Sequence, residues 1–292
     1  MTSTTQIQED SADESNYLLE CLQRGYNIRV VPYEEIHSIR PTDFDALART
    51  IDAKDGEIVL DAGSGYGAVT REILLRNPGK NLRFCNVDLC SVQLDRGIKE
   101  LGDRFGKSFV DDRIVFMQDS ILHFMCEDAL FDKAVAKMVI HEVPRHLQLR
   151  ALQELHRVLK PGGKLVVWDL MLDEETQDFF QKVIRKKDEL AGFEGLVKLR
   201  YFLREDEWVD LLGDAGFKQV RKEADVLYEL HTEKRLYREL KGDRQKLDEW
   251  HNYIREQVEG VPGHVRDKLG YFDYGGDITF IPPKAIYSAI KG

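Results

Sequence analysis

Three glycines follow a short apolar run in the segment EIVLDAGSGYGAVT, from Glu57 to Thr70. Glycines at this spacing permit a tight turn and let the backbone approach a ligand closely. An amphipathic segment comes next, so we expect the loop to join a strand to the first turn of a helix. Backbone N–H groups point outward there. This context predicts a cofactor-binding loop.

The loop fits two cofactor patterns. Gly63, Gly65 and Ala68 match the dinucleotide pattern G-x-G-x-x-G/A. The pattern D-x-G-x-G-x-G of S-adenosylmethionine sites is matched by Asp61, Gly63, Gly65 and Gly67. A carboxylate at the strand end would oppose the pyrophosphate of a dinucleotide, but it can accept hydrogen bonds from the ammonium group of S-adenosylmethionine. Asp61 therefore favours S-adenosylmethionine and makes an oxidoreductase the weaker alternative.

Two further acidic positions follow predicted strands. Asp88 lies about twenty residues after the loop, where a carboxylate can accept both ribose hydroxyls of an adenosine cofactor. The alternative is a helix N-cap before residues 91–101. Asp119 and Ser120 follow the third predicted strand and are placed to meet the adenine edge, with a plain turn as the alternative.

These residues need a scaffold in which short apolar strands alternate with longer helical segments. The predicted strands are Ile58–Ala62, Leu82–Asp88, Ile114–Gln118, Asp132–Met138 and Lys164–Asp169. The clearest helix between them is Arg145–Leu159. Such alternation predicts an α/β fold, a doubly wound parallel sheet covered on both faces.

The second half of the chain predicts further elements. We expect helices at Asp173–Leu190 and Asp206–Asp214, a strand at Phe217–Tyr228, and an amphipathic helix over Thr232–Val258 that Gly242 interrupts or leaves intact. Two strands then complete the chain, at Asp277–Ile281 and Ala285–Ile290.

The order of "VLDAGSGYG", "CNVDL", "IVFMQDS" and "ELHRVLKPGGKLVVWD" resembles class I S-adenosylmethionine-dependent methyltransferases. Within them it is similar to the group of ubiquinone/menaquinone-biosynthesis and natural-product methyltransferases. The resemblance covers roughly residues 41–219 and the terminal strand. It implies a Rossmann-like, seven-stranded, mostly parallel sheet whose last strand is antiparallel.

The resemblance also implies which residues hold the cofactor. They are Asp61, Gly63, Gly65 and Gly67 at the methionine end, Asp88 and Leu89 at the ribose, Asp119, Ser120 and Ile121 at the adenine, and Lys137 and Met138 near the sulfonium. A cationic side chain beside a sulfonium would be repulsive, so we expect Lys137 to offer only its backbone.

Around this core the sequence predicts segments that cover the site. The expected organisation is an N-terminal helical lid segment (1–40), the cofactor-binding core (41–170), a helical insertion (171–203), a core helix and strand (204–227), a helical substrate-side insertion (228–275) and the terminal strand (276–292).

Methyl transfer to a hydroxyl group needs a base, and three residues are candidates. His141 follows the fourth predicted strand at the sheet edge where ligands bind, with Glu142 beside it and His264 farther along the chain. The alternative is that His141 only forms a hydrogen bond to the loop and has no catalytic role. Asp169 has no second ligand at a telling spacing, so we expect no metal.

Aromatic residues in the covering segments are candidates for a substrate pocket. They are Tyr17, Tyr26, Tyr201, Tyr271 and Tyr274. Aromatic side chains suit a planar apolar acceptor, although packing within the lid without substrate contact explains them equally well.

Composition limits the partners and the cellular compartment that we expect for the protein. Its net charge of −10 over 292 residues argues against a nucleic-acid partner. Four cysteines without a C-x-x-C pair indicate reduced thiols in a cytoplasmic protein, and we find no apolar run long enough for a membrane span. The oligomeric state stays open, with a homodimer as one alternative.

The sequence as a whole predicts an S-adenosylmethionine-dependent methyltransferase with a small-molecule acceptor, and O-methylation is slightly favoured over C- or N-methylation. Two alternatives remain. One is a cyclase-like enzyme that binds S-adenosylmethionine without methylating, and the other is a regulatory module that binds it without catalysis.

Overall fold

The computed structural model describes residues 40–292. Its first part contains helix α1 and the units β1 to α5, which carry the cofactor loop. Their bounds are α1 Pro41–Ile51, β1 Ile58–Ala62, α2 Ala68–Arg76, β2 Arg83–Asp88, α3 Ser91–Phe105, α4 Lys107–Arg113, β3 Ile114–Gln118, β4 Phe131–Lys137, two 3₁₀ turns at Ile140–Glu142 and Arg145–Leu147, and α5 Gln148–Val158.

The rest of the chain completes the sheet and covers its carboxyl edge. The elements are β5 Leu159–Leu170, α6 Glu174–Ala191, α7 Glu194–Leu199, α8 Glu205–Asp214, β6 Phe217–Val226, β7 Leu230–His231, a 3₁₀ turn at Glu233–Arg235, α9 Arg244–Glu259, α10 Gly263–Lys268, β8 Phe272–Asp273, β9 Ile278–Phe280 and β10 Lys284–Lys291.

Seven strands form one sheet in the order β3-β2-β1-β4-β5-β10-β6. The strands β1 to β5 pair in parallel, whereas β10 runs antiparallel between β5 and β6. The order reverses between β1 and β4, and ligands of open α/β sheets bind at such a reversal. The predicted fold class, with its antiparallel last strand, is confirmed.

The core strands are buried on both faces, which explains their nearly continuous apolar sequences. Val59, Leu60 and Ala62 of β1 are each fully buried. The strand β5 begins at Leu159, five residues before the predicted start, because Leu159 already pairs with Phe131 ahead of the Pro-Gly-Gly segment. The preceding helix starts at Gln148, since residues 145–147 form a 3₁₀ turn.

The segment predicted as one helix over Thr232–Val258 is divided. Gly242 adopts a φ of 77°, a left-handed conformation that a continuing helix does not allow. Asp243 then caps α9 by accepting a hydrogen bond from the backbone N–H of Lys246 at 3.1 Å. Of the two alternatives left open by the sequence, the interruption is confirmed.

A second apolar core lies outside the main sheet. It joins α6, α9 and a small antiparallel sheet of β7, β9 and β8. Trp250 of α9 is fully buried there, and its indole Nε1 donates to the Val183 carbonyl of α6 at 2.9 Å. Over residues 40–292, no helix is long and apolar enough to cross a bilayer.

We expect Trp250→Phe to lower the free energy of unfolding by about 1–3 kcal/mol, because the Val183 carbonyl loses its buried donor. Thermal and denaturant unfolding measure the loss. Tyr237→Phe is the matched control, since that side chain is 74% exposed in the same insertion. Equal stability of Trp250→Phe and the wild type would contradict this role of the tryptophan.

Candidate active site

A cavity of about 260 Å³ opens at the carboxyl ends of β1, β2 and β4. Its floor includes the glycine loop, and the loops after β2, β3 and β4 form one side. The opposite side comes from the two covering segments. Their contributions are Phe180, Ile184, Lys187, Arg200, Phe202, Tyr228, Leu230 and Arg235, joined by Lys284 from β10.

Glycine is required in the loop for two different reasons. A Cβ on Gly63 would overlap Val139 Cγ2, so the glycine lets the loop pass against the segment after β4. Gly65 has no atom within 4 Å of its Cβ position, and its φ is 54°. The open space above Gly65 faces the cavity, which suits a ligand that contacts the backbone directly.

Asp61 lines the cavity beneath this loop. Its Oδ2 accepts hydrogen bonds from the hydroxyl of Thr70 at 2.9 Å and from the backbone N–H of Thr70 at 3.2 Å. Burial raises the pKa of Asp61 to about 6, although the bonds from Thr70 oppose that shift. Its Oδ1 makes no hydrogen bond among residues 40–292, so it has capacity for the ammonium of a cofactor.

Asp88 fixes the next part of the site. Its two carboxylate oxygens accept hydrogen bonds from the backbone N–H groups of Gly65 at 2.8 Å and Cys90 at 2.9 Å. Each oxygen keeps a further lone pair for a ribose hydroxyl. Burial raises the pKa of Asp88, while the backbone donors oppose the shift.

Asp119 organises the loop after β3 in the same manner. It accepts hydrogen bonds from the backbone N–H groups of Ser120 at 2.7 Å and Met125 at 2.6 Å. Asp119, Ser120 and Ile121 all line the cavity, as does Leu89 beside Asp88. The polar groups of Asp61, Asp88 and Asp119 with Ser120 fit the ammonium, ribose and adenine of S-adenosylmethionine in turn.

Lys137 and Met138 end β4 and also line the cavity. Met138 has a φ of 57°. Burial lowers the pKa of Lys137 to about 8, and the carboxylates of Asp61 and Asp169 oppose that shift. Its Nζ lies 5.1 Å from the centroid of the Trp168 ring.

A series of linked ionic side chains, which we call the buried ion chain, lies at the cavity, and its members His141, Glu142, Arg200, Lys187 and Arg235 line it. It joins β5, the turn after β4, the segment after α7, α6 and the turn after β7. In order, its members are Asp169, His141, Glu142, Arg200, Asp188, Lys187, Glu239 and Arg235.

The first half of the buried ion chain is centred on a histidine. His141 Nδ1 lies 2.6 Å from Asp169 Oδ1, and its Nε2 lies 3.3 Å from Glu142 Oε1. Arg200 donates to both oxygens of Glu142, at 2.6 and 2.9 Å. The same guanidinium donates to Asp188 Oδ2 at 2.7 Å. Glu142 is therefore held in an ion pair.

The second half of the buried ion chain extends into the substrate-side insertion, residues 228–275. Lys187 Nζ lies 2.8 Å from Asp188 Oδ1 and also donates to Glu239. Glu239 accepts from Arg235, whose Nη2 donates to the hydroxyl of Tyr228 at 2.8 Å. Each of these five residues is at most 5% exposed. Buried charges of this kind occur when they are paired.

The neighbours of His141 in the buried ion chain raise its pKa. Burial lowers it, but the carboxylates of Asp169 and Glu142 and their hydrogen bonds raise it by more. His141 also lines the cavity, and its ring lies 5.1 Å from the ring of Phe202. A histidine oriented by a buried carboxylate can accept a proton from a bound acceptor.

Several predicted site residues lie away from the cavity. His264 is exposed on α10, with Nε2 2.9 Å from Glu175 Oε1. Tyr201 directs its hydroxyl toward Gln177 and Glu207, Tyr271 packs on Phe280, and Tyr274 is 67% exposed. Gly67 caps α2 outside the lining residues. Tyr17 and Tyr26, with the predicted lid segment, lie outside the described residues.

Sequence reasoning missed Arg200, Lys187, Glu239 and Lys284. Charged residues in amphipathic segments are usually solvated, and nothing in their spacing separates these buried ones from their exposed neighbours. The one available signal was a lysine, Lys284, directly before the mostly apolar run Ala285–Ile290 of the terminal strand.

Comparison with known proteins agrees with this geometry. A methyltransferase domain family matches residues 60–167. The chain is 26% identical to the 27-O-demethylrifamycin SV methyltransferase of Amycolatopsis mediterranei over 60% of its own length. It spans 58% of that relative. It is also 26% identical to the ubiquinone/menaquinone biosynthesis C-methyltransferase UbiE of Paracoccus denitrificans, covering 64% of this chain and 75% of the relative.

The fold is similar to that of a solved structure as well. The YcgJ protein of Bacillus subtilis superposes with a TM-score of 0.70 over 86% of this chain and 99% of that chain, at 16% identity. Residues 60–167 thus resemble the methyltransferase domain of class I S-adenosylmethionine-dependent methyltransferases, and the relatives that the chain matches are themselves methyltransferases. The predicted resemblance to this family, the predicted methyltransferase class and the predicted cofactor are thereby confirmed.

We expect the affinity for S-adenosylhomocysteine to fall about tenfold between pH 7 and pH 5. Asp61 must be ionised to accept the ammonium of this product, and protonation as the pH drops through about 6 removes its charge. Calorimetric titration at both pH values measures the change. Asp61→Asn should bind weakly at both, and a wild-type affinity that is the same at pH 5 and pH 7 would contradict the role of Asp61.

Proposed function

We propose that the protein transfers the methyl group of S-adenosylmethionine to a hydroxyl oxygen of a small-molecule acceptor. The observation that carries this proposal is the pair His141–Asp169, because it sets an oriented base in the wall of the cavity that the cofactor loop also lines. Bound S-adenosylmethionine supplies a methyl group already activated by its sulfonium.

The residues of the protein must align the acceptor with the methyl group and remove the proton of its hydroxyl group. Asp169 holds the imidazole with its proton on Nδ1, so Nε2, which lies 3.3 Å from Glu142 Oε1, is the nitrogen that takes the proton of the acceptor hydroxyl. Glu142, fixed by Arg200, stabilises the imidazolium that forms when His141 takes the proton. Glu142 acts as a positioning residue here, and the exposed His264 has no part.

The proposed acceptor site lies between the cofactor loop and two covering segments, 171–203 and 228–275. Phe180, Phe202 and Leu230 give it apolar walls. A cavity of this size favours a small acceptor over RNA, and the net charge of −10 supports the same choice.

We place the enzyme in the cytoplasm, a setting supported by the free thiols of Cys85, Cys90 and Cys126. A monomer and a homodimer are both compatible with a site built from one chain, and gel filtration with light scattering distinguishes them.

Incubation with methyl-labelled S-adenosylmethionine tests the reaction class. The acceptors are a panel of phenols, aliphatic alcohols and hydroxylated acids, with total tRNA as the nucleic-acid arm. We expect label in a methyl ether, identified by mass and NMR, and no transfer by Asp88→Ala, which removes the expected acceptor of the ribose hydroxyls and the bond to the Gly65 N–H. A product formed without label would identify a cyclase-like enzyme, and label on carbon or tRNA would reject O-methylation of a small molecule.

We expect His141→Gln to lower kcat by about 10²–10⁴-fold while the affinity for S-adenosylhomocysteine stays within about twofold, because the base acts only on the acceptor. In the wild type, kcat should rise with pH through the pKa of His141, which lies above its ordinary value because Asp169 and Glu142 outweigh burial.

His264→Gln is the matched control for this experiment, since it removes an exposed histidine of the surface helix α10. It should leave kcat and its pH profile unchanged. Wild-type turnover in His141→Gln, or a loss in His264→Gln instead, would reject the assignment of the base.

A further inference from the structure

Lys284, the first residue of β10, is buried in the cavity wall without a paired carboxylate. It is 5% exposed, and its Nζ lies 3.3 Å from the centroid of the Tyr228 ring. Among residues 40–292 the ammonium makes no hydrogen bond and has no carboxylate within ion-pair distance. A buried ammonium is costly unless it is paired.

The nearby carboxylates are engaged elsewhere, apart from Asp169 Oδ2, which has no hydrogen-bond partner among residues 40–292 and forms no ion pair with Lys284. The buried ion chain contains four of them: Asp169, Glu142, Asp188 and Glu239. They face Arg200, Lys187, Arg235 and His141 in alternation. The carboxylates of the buried ion chain therefore have partners within the chain, and none of them pairs with Lys284.

The charges around Lys284 favour a negative ligand. Burial lowers the pKa of Lys284 well below its usual range, and the positive charges of Lys137 and Arg235 lower it further, against the opposing effect of Asp169. An anion placed at this wall would stabilise the ammonium. S-adenosylmethionine itself adds a net positive charge to the cavity, which strengthens the same preference.

The position of Lys284 separates it from the methionine end of the cofactor. In the sheet, β5 lies between β10 and β4, and β4 lies next to β1. At about 4.8 Å between neighbouring strands, Lys284 starts about 10 Å from β4 and about 14 Å from β1. The carboxylate of the cofactor belongs near the glycine loop after β1, whereas Lys284 faces Tyr228 and the substrate-side insertion.

We propose that Lys284, with Lys137 as a second positive charge, binds an acidic group of the acceptor, a carboxylate or a phosphate ester. The inference rests on the proposed function and narrows it to an anionic acceptor. The Tyr228 ring, fixed by Arg235, covers one side of the ammonium, so the acidic group approaches from the cavity.

Fragment binding to the protein loaded with S-adenosylhomocysteine tests this proposal. The probes are benzoate and phenyl phosphate, with benzamide as a neutral analogue of similar shape, titrated by ligand-observed NMR. We expect at least one anion to bind about tenfold or more tighter than benzamide, as a charge pair in a buried site provides. The better of the two anions identifies the acidic group.

Lys284→Met keeps the apolar stem of the side chain and removes its charge. We expect this variant to bind the anions and benzamide equally, while Lys99→Met, the same substitution on the surface, keeps the preference. Lys284→Gln is a second neutral variant in case the first does not fold, as judged by thermal unfolding. Equal binding of benzamide and both anions by the wild type, or a preserved preference in both neutral variants, would overturn the proposal.

A cofactor role for Lys284 is distinguished by titrating S-adenosylhomocysteine and 5′-methylthioadenosine, which lacks the amino-acid part. We expect Lys284→Met to bind both as the wild type does. A loss confined to S-adenosylhomocysteine would assign Lys284 to the cofactor carboxylate and overturn the acceptor role. Intact cofactor binding without an anion preference rejects this inference alone, whereas failed cofactor binding by the wild type rejects the proposed function.

Discussion

The site depends on one series of interactions, the buried ion chain from Asp169 to Arg235. It links β5 of the main sheet to α6 and to the insertion after β7, and five of its side chains line the cavity. Removing one partner of a buried pair leaves a charge without compensation, which costs roughly 3–5 kcal/mol. The buried ion chain therefore holds the two covering segments in a defined position over the sheet.

The same interactions divide the cavity by charge. On the cofactor side, Asp61, Asp88 and Asp119 present carboxylates to a ligand that brings two cationic groups. On the acceptor side, the acidic and basic groups of the buried ion chain balance each other, and Lys284 is left at the wall without an ion-pair partner among residues 40–292. His141 lies in this wall because the turn after β4 carries it toward Asp169.

The cofactor half could be predicted from the sequence because its residues obey local rules. A glycine loop needs positive φ angles and close packing, as Gly63 shows against Val139, and acids at strand ends meet at one edge of a parallel sheet. Asp88 and Asp119 follow from that geometry. The parallel sheet covered on both faces also follows from the alternation of strands and helices.

The acceptor half could not be predicted because its contacts join residues far apart in the chain. Lys187 meets Glu239 across 52 residues, and Arg200 meets Glu142 across 58. No local pattern marks such pairs as buried, so they resemble solvated charges of a helix surface. Tyr201 and Tyr274 were chosen for their aromatic character, but their side chains lie outside the cavity.

The most direct test of the central claim is a crystal structure with S-adenosylhomocysteine bound. We expect its adenosine against Asp88 and Asp119, its amino-acid end against Gly63 and Asp61, and its sulfur facing His141 across the cavity. Adenosine bound elsewhere, or a sulfur turned away from the wall that holds His141, would contradict the assignment of both halves of the site.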